Sequence, residues 1–306
     1  MKKTLRWVFL GSNGIRAGWR LAIFVGLLVV ANFVVKFALN AAHVHPPKPT
    51  AFASPMQALP EAVGLLFIVL ATWVMSRIER RPMGVYGLPL RGVLRSRVWL
   101  GFGWGFAAIS LVVLAQWAFH GYAITGLATT GTTLVLALLA WTAGFVLVAL
   151  VEEYLVRGYA QYTLASGIGF WPAGVVLSLA FAALHLQNGG ESATGIINAA
   201  LFALVMVLAL RVTGTLWLAV GIHAGWDWGE SFVYNVPDSG ISIEHPLLRS
   251  SIHGPAWITG GSAGPEATVF TVLALLALGA LLWWRFPYPT RTDSERALRP
   301  LASVSK

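Results

Sequence analysis

Six ionisable residues fall inside strongly apolar segments of this chain of 306 residues. They are Glu152, Glu153, Arg157, His185, His223 and Asp227. An ionisable group at the centre of a membrane helix costs roughly 2.5–3.5 kcal/mol on insertion scales, so such groups usually face a protein interior or a wet cavity. Their placement predicts a functional site within a membrane protein.

The spacing of these residues assigns them to different helix faces. Glu152 and Glu153 are adjacent, so their side chains point about 100° apart around a helix of 3.6 residues per turn. Glu153 and Arg157 are four residues apart, as are His223 and Asp227, and each pair lies on one helix face. We therefore expect Glu152 to face a cavity while Arg157 holds Glu153.

The depths of the polar residues also agree. Glu152 lies about 16 residues before the turn at 167–172 and His185 about 16 residues after it, so at ~1.5 Å per residue both reach one height. After the next turn, near Gly214, His223 lies roughly 14 Å and Asp227 roughly 20 Å along the helix axis. These heights permit a single cluster of the two histidines, Glu152 and Asp227.

Two hydrolytic chemistries are open to such a cluster. A glutamate with a histidine can activate a water for attack on a carbonyl, and a histidine or a protonated aspartate can donate to the developing oxyanion. The same four residues, Glu152, His185, His223 and Asp227, could instead hold Zn²⁺ or another divalent metal with a water at an open position. The sequence contains no cysteine, which excludes thiol catalysis and disulfides.

The composition indicates a membrane protein. The chain is 57% hydrophobic and 11% charged, whereas soluble domains carry about 25% charged residues. We predict an all-α polytopic fold with about eight transmembrane helices, each near the ~20 residues that cross a bilayer. The predicted spans are 19–40, 59–76, 98–119, 133–164, 171–186, 194–212, 215–228 and 268–284. In the third span, the four-residue spacing of Gly101 and Gly105 predicts close helix packing.

The basic residues separate between alternate connections. They cluster before the first predicted span, between spans two and three, and after the last span, whereas the opposite connections contain only Lys48 and Arg249. This bias predicts that both termini are cytoplasmic and that the chain is integral to a membrane, which we take to be a prokaryotic cytoplasmic membrane. The net charge of +9 is thus a topology signal, and we expect no nucleic-acid partner.

We divide the single membrane domain into three parts. Residues 1–130 would contain the first three helices and a cytoplasmic loop, and residues 131–233 the catalytic core. Residues 234–306 would contain an outer loop, the last helix and a basic tail. The outer connection 229–266 is rich in Gly, Ser and Pro, so we expect a lid or a loop without regular structure.

Three motifs of this chain resemble one family. EEYLVRG resembles the EExxxR signature of the CPBP family (CAAX protease and bacteriocin-processing enzymes, also called Abi proteins), which includes the type II CAAX prenyl proteases. FAALH is similar to its FxxxH motif and HAGWD to its HxxxN/D motif, in family order on separate predicted spans. The third motif departs from the prenyl proteases at Asp227, where they usually have Asn. The motifs cover about a third of the chain.

The resemblance implies an intramembrane endopeptidase, either glutamate-dependent or metal-dependent. It assigns water activation to Glu152 and His185 and oxyanion stabilisation to His223 and, by position, Asp227. An ionised Asp227 could not donate to an oxyanion, so it would be protonated, orient His223 or bind a metal. The implied partners are the lipid bilayer and a peptide or membrane-protein substrate, lipidated substrates included.

Two other function classes fit buried carboxylates and histidines. A catalytically silent scaffold or bacteriocin-immunity protein would keep the fold and tolerate loss of Glu152. A proton-coupled transporter usually shows paired repeats and broken helices in both halves, and no such pairing is evident in this sequence. Glu153 and Arg157 are expected to be mainly structural, with a role in substrate placement as the alternative.

Overall fold

A computed structural model describes residues 8–11, 14–43, 58–89, 96–188 and 190–286. Ten α-helices lie in these ranges. They are α1 (Ala17–Ala41), α2 (Ala58–Glu79), α3 (Ser96–Ala118), α4 (Gly131–Leu155), α5 (Gln161–Ile168), α6 (Phe170–His185), α7 (Ala193–Thr213), α8 (Trp217–Asp227), α9 (Ala256–Thr259) and α10 (Val269–Arg285). A π-helical turn, Val156–Ala160, joins α4 to α5, and a second, Trp228–Val233, follows α8.

A helix coincides with each of the eight predicted spans. Five helical segments are long and apolar enough to cross a membrane by length and composition: Ala17–Ala41, Pro60–Glu79, Arg97–Ala118, Gly131–Ile168 and Ala193–Thr213. Helices α6 and α10 are apolar but shorter, and α8 has only 11 residues. The mainly helical membrane fold is thus confirmed, and the number of eight crossings stays a prediction.

Two small antiparallel sheets were not predicted. Strands β1 (Leu10–Gly11) and β2 (Gly14–Ile15) form one, and β3 (Tyr122–Leu127) and β4 (Leu248–Ile252) form the other. In the second sheet Tyr122 pairs with Ile252, and the register shifts between Ile124 and Gly126. β4 belongs to the outer connection, which also contains α9 and a 3₁₀ turn, Pro265–Ala267. The expectation of a loop without regular structure is therefore wrong for this segment.

The outer connection packs against the helices. The indole N–H of Trp141 in α4 donates to the carbonyl oxygen of Glu244 (2.9 Å), and the Tyr122 hydroxyl donates to that of Tyr234 (2.9 Å). Burial, offset in part by a hydrogen bond with Ser250, raises the pKa of Tyr122 to about 12. We call residues 234–268 the outer cap.

Helix α8 lies at the centre of the bundle, and all of its residues are buried. It contacts α3 through four glycines, Gly101 and Gly105 of α3 and Gly221 and Gly225 of α8. A Cβ on Gly105 would strike the carbonyl oxygen of Ile222, and one on Gly225 would strike that of Phe102. The small residues let the two backbones touch, as the spacing of Gly101 and Gly105 predicts. This contact fixes the helix that contains His223 and Asp227.

A polar network joins the helix ends on the side predicted to be cytoplasmic. Arg20 of α1 pairs with Glu79 of α2 (2.8 Å) and donates to the hydroxyl of Ser166 in α5 (2.5 Å). The Tyr159 hydroxyl also donates to Glu79. The basic residues before residue 8, between 90 and 95 and after 286 lie outside the described residues, so the cytoplasmic placement of both termini stays a prediction.

Candidate active site

The signature EEYLVRG crosses from α4 into a π turn. Gly158 has a non-helical ψ of −124° there, so the predicted continuous span 133–164 is kinked. A Cβ on Gly158 would press on the Tyr154 ring. Wider turns of this kind are frequent at functional sites. Here the turn begins directly after α4, and Arg157 within it reaches back to Glu153.

Glu153 is a buried hub with two partners. Its Oε1 atom accepts from Nη1 of Arg157 (3.1 Å) and from Nδ1 of His223 (2.9 Å). The side chains of Glu153 and Arg157 are 0% exposed, so solvent does not weaken these contacts. The guanidinium also lies over the Phe181 ring, 4.6 Å from its centroid. The pairing with Arg157 was expected from spacing; the bond to His223 joins two distant helices and was not.

The other ring nitrogen of His223 faces two carboxylates. Its Nε2 atom lies 3.5 Å from Oε2 of Glu152 and 3.5 Å from Oδ2 of Asp227. The Glu152 side chain is 33% exposed and lines a cavity, whereas Glu153 is closed off. The two adjacent acids therefore occupy different environments, one lining a cavity and one enclosed by protein.

His185 ends α6 and lines the same cavity. Its Nδ1 atom lies 2.9 Å from the carbonyl oxygen of Phe181. A carbonyl oxygen can only accept, so Nδ1 carries the proton and a neutral ring keeps a lone pair on Nε2. In the described part of the chain, His185 makes no hydrogen bond or ion pair with Glu152; the two residues line the same cavity.

The cavity has a volume of about 330 Å³, within the range of small-molecule sites. Its apolar walls are Trp141, Phe145, Phe181, Phe202 and Trp226, and its polar end contains Glu152, His185, His223 and Asp227. The part of α4 that lines it runs from Ala140, beside the contact of Trp141 with the outer cap, to Glu152, near the inner end of the helix. The cavity therefore extends from the outer cap inward to the motif residues.

The sequence analysis missed several polar residues of this cavity. Glu61 of α2, Asn198 of α7, Asp238, Ser239 and Glu266 also line it. Asp238, Glu266 and the buried Glu230 have carboxylate oxygens within 4.8 Å of one another. We call these three residues the outer triad. Burial, then the charges of Asp227 and Glu266, raise the pKa of Asp238 well above its usual range. Only their position in a polar loop was visible in the sequence.

The four residues predicted as metal ligands do not form a zinc-type group. Zinc takes N and O ligands at about 2.0–2.2 Å, so its ligand atoms must converge on one point. Among the described residues, the outer triad is the group of three or more ligand atoms that lie within 4.8 Å of one another. His223 is also engaged at both nitrogens by carboxylates. This geometry gives the zinc hypothesis no support.

Residues 134–229 match a family model described as "Rce1-like: Type II CAAX prenyl endopeptidase Rce1-like". This range contains all three motifs and every predicted site residue. No curated protein matches the chain. The apolar helices together with this match support an integral membrane protein. The matched segment, 96 of 306 residues, contains the three motifs and is similar to the CPBP family of CAAX-type intramembrane endopeptidases.

Proposed function

We propose that this protein is an intramembrane endopeptidase that hydrolyses a peptide bond with a water activated by Glu152 and His185. The observation that supports it is the meeting of three motifs from separate helices in one cavity: Glu152 of α4, His185 of α6, and His223 with Asp227 of α8. A side chain packed only for stability would not require a wet cavity at this depth.

The proposed reaction begins with a water between Glu152 and His185. The Glu152 carboxylate takes a proton from this water as the oxygen attacks the carbonyl carbon of the substrate. The lone pair on His185 Nε2 accepts a hydrogen bond from the second O–H, which orients the water; that hydrogen stays on the attacking oxygen. The tetrahedral intermediate then collapses, the C–N bond breaks, and Glu152 returns its proton to the leaving amine. General acid–base catalysis of this kind contributes about 10²–10⁴-fold to the rate.

His223 is the proposed oxyanion donor. Its Nδ1–H donates to Glu153, which fixes the ring, and its Nε2 atom faces the cavity between Glu152 and Asp227. We place a proton on each ring nitrogen, because carboxylate oxygens face both. Asp227 then orients and balances the imidazolium and does not itself donate. Glu153 and Arg157 act through His223 as positioning residues.

The substrate follows from the walls and the position of the cavity. The aromatic walls fit an extended apolar peptide segment or a lipid chain attached to one. Leu184 lines the cavity and is 51% exposed, so the wall reaches the membrane-facing surface of the bundle. With cytoplasmic termini in a prokaryotic cytoplasmic membrane, the cavity would extend into the outer half, where it meets the outer cap. We therefore propose peptides or membrane proteins that reach this half as substrates.

The test uses the purified full chain in detergent and in liposomes. Quenched apolar peptides, with and without a prenyl group, would be incubated with wild type, Glu152→Gln, His185→Ala and the exposed control Glu244→Gln. We expect wild type and the control to cleave, and the two cavity variants to lose activity by at least about 10²-fold with unchanged melting curves. Retained turnover in Glu152→Gln would refute the mechanism.

A comparison in cells would identify natural substrates and test the scaffold alternative. Membrane proteins and peptides that accumulate with Glu152→Gln, relative to wild type, are candidate substrates. No enrichment, together with no cleavage of any peptide by wild type, would favour a catalytically silent scaffold.

A further inference from the structure

The outer triad is a dense negative charge beside the cavity. Glu230 follows α8, Asp238 lies in the outer cap, and Glu266 precedes α10. Their oxygens lie within 4.8 Å of one another. In the described ranges, no Arg or Lys side chain forms an ion pair with any of them. Like charges at this distance repel strongly in a buried setting, so either bound protons or a bound cation must balance them.

Two buried polar side chains of this region lack partners. Glu230 is 0% exposed, and neither of its carboxylate oxygens has a hydrogen-bond donor. The indole N–H of Trp226 is a donor that approaches Glu230, in a contact that falls short of a normal hydrogen bond. Native proteins rarely leave such groups unsatisfied, and an unseen ion is one standard explanation.

Asn198 is the second unsatisfied side chain. Its Nδ2 atom donates to the carbonyl oxygens of Glu266 (2.6 Å) and Thr268 (2.9 Å). These two bonds fix the amide, which leaves Oδ1 buried, without a partner, on a residue that lines the same cavity. Asn198 thus adds an uncharged, unpartnered oxygen to the cavity that Asp238 and Glu266 also line.

The ligand atoms on offer are all oxygens. Oxygen-only sites select hard cations, and Ca²⁺ binds oxygens at 2.3–2.6 Å. Two oxygens on opposite sides of Ca²⁺ are therefore about 4.6–5.2 Å apart, and the oxygens of the triad, all within 4.8 Å of one another, are close enough to share one such ion. Mg²⁺ requires shorter bonds and gives up its waters reluctantly. No histidine or cysteine belongs to the triad, which disfavours zinc.

We infer that Glu230, Asp238 and Glu266 bind a calcium-type divalent cation that fastens the outer cap to the helix bundle beside the cavity. The cation joins the end of α8, the cap and the start of α10. It would hold Asp238 and Ser239, both cavity-lining residues, in the wall of the cavity. Binding does not depend on peptidase activity.

A positively charged group of a substrate is the competing occupant. It fits less well, because Glu230 is fully buried and does not line the cavity, so a peptide side chain entering the cavity would not reach it. One positive charge would also leave two carboxylates unbalanced. A divalent ion that has lost its waters is small enough to lie among the three carboxylates and contact all of them.

The test is calcium binding to the purified full chain after treatment with chelator. Radioactive Ca²⁺ would be measured by equilibrium dialysis, and melting curves would be recorded with Ca²⁺, Mg²⁺, Zn²⁺ or chelator. Wild type is expected to bind about one Ca²⁺ per chain, as one triad provides one site, and to melt several degrees higher with Ca²⁺ than with chelator. Glu230→Gln and Asp238→Asn should lose both effects, and the exposed Glu244→Gln should keep them.

The outcomes of this test distinguish a failure of the calcium proposal from a failure of the peptidase hypothesis. Wild type that binds no Ca²⁺ at millimolar concentration, with superimposable melting curves, would overturn it and leave protons as the counter-charge. Stabilisation by a lysine-containing peptide but not by Ca²⁺ would overturn it in favour of a substrate group. A chain that binds Ca²⁺ yet cleaves no peptide would retain this site and refute the proposed enzyme.

Discussion

The protein contains two buried acidic clusters that differ in how their charge is balanced. In the motif cluster, Glu153 contacts both Arg157 and His223 through one oxygen. In the outer triad, the oxygens of Glu230 have no partner. The first cluster contains its own counter-charges and can hold a fixed geometry; the second depends on something that binds. A fixed arrangement suits catalysis, and a cluster lacking its counter-charge suits an exchangeable ion.

The largest effect on stability is expected from removing Arg157, the buried counter-charge of Glu153. Arg157→Met would leave Glu153 as a buried carboxylate with only His223 opposite it. Breaking a buried ion pair in this way costs about 3–5 kcal/mol. We expect a large drop in melting temperature of the purified chain, and loss of peptide cleavage because His223 loses its anchor.

Arg249→Met is the matched control, because Arg249 is an exposed arginine of the outer cap. It should melt like wild type. Adding Glu153→Leu to Arg157→Met should restore part of the stability but no activity, because the stranded charge is gone while His223 remains unanchored. A melting curve of Arg157→Met equal to that of wild type would show that the pair is dispensable.

The next effect acts on both clusters together, since α8 contains His223 and Asp227 and directly precedes the turn with Glu230. Gly105→Ala would place a methyl group against the carbonyl oxygen of Ile222 and push α3 away from α8. Overpacking of this kind costs about 3 kcal/mol at its upper end. We expect lower melting temperature, weaker cleavage and weaker Ca²⁺ binding. Gly103→Ala, which meets nothing within 4 Å, should leave all three unchanged.

The sequence predicted the parts of the fold that depend on local periodicity. Helical segments, the turns at Gly169 and Gly214, the glycine contact of α3 and the pair Glu153–Arg157 all follow from composition or from spacings of three to four residues. The kink at Gly158 was not predictable, because a single glycine in an apolar helix does not by itself indicate a kink. The β3–β4 sheet was missed because its strands are far apart in sequence and lie in connections rich in turn residues.

The candidate site was predictable to the same extent. The three motifs and a common depth brought Glu152, His185, His223 and Asp227 into one cluster. The bond from His223 to Glu153 was not predictable, because it joins residues 70 positions apart and no periodicity reports such a contact. The outer triad was invisible for the same reason: its acids come from three segments and converge only when the outer cap folds onto the helices.

A smaller effect tests the difference in charge balance directly. Glu153→Gln removes a charge that Arg157 and His223 require, so it should destabilise the chain. Glu230→Gln removes an unbalanced charge and supplies amide donors near Asp238 and Glu266, so in chelator it should stabilise the chain. Hydrogen bonds to charged groups set the scale at about 1.5–3 kcal/mol for each change. Denaturation in the presence of chelator measures the free energy of unfolding of both variants. If both were stabilised or both destabilised, the proposed difference in charge balance between the two clusters would be wrong.

The smallest effect is expected at Asp227, where the chain departs from the Asn of the prenyl proteases. The Oδ2 atom of Asp227 lies 3.5 Å from His223 Nε2, a distance at which the carboxylate orients the ring without a tight bond. Asp227→Asn keeps the shape and can still accept from the ring, and its amide could donate to an oxyanion. We expect cleavage within about tenfold of wild type, or about 1.4 kcal/mol in the barrier, with unchanged melting. His223→Gln should lose far more activity in the same assay, because the ring of His223 contacts both Glu153 and Glu152. If Asp227→Asn abolished cleavage as completely as Glu152→Gln, the carboxylate of Asp227 would itself take part in the reaction, and its assigned role of orienting His223 would be wrong.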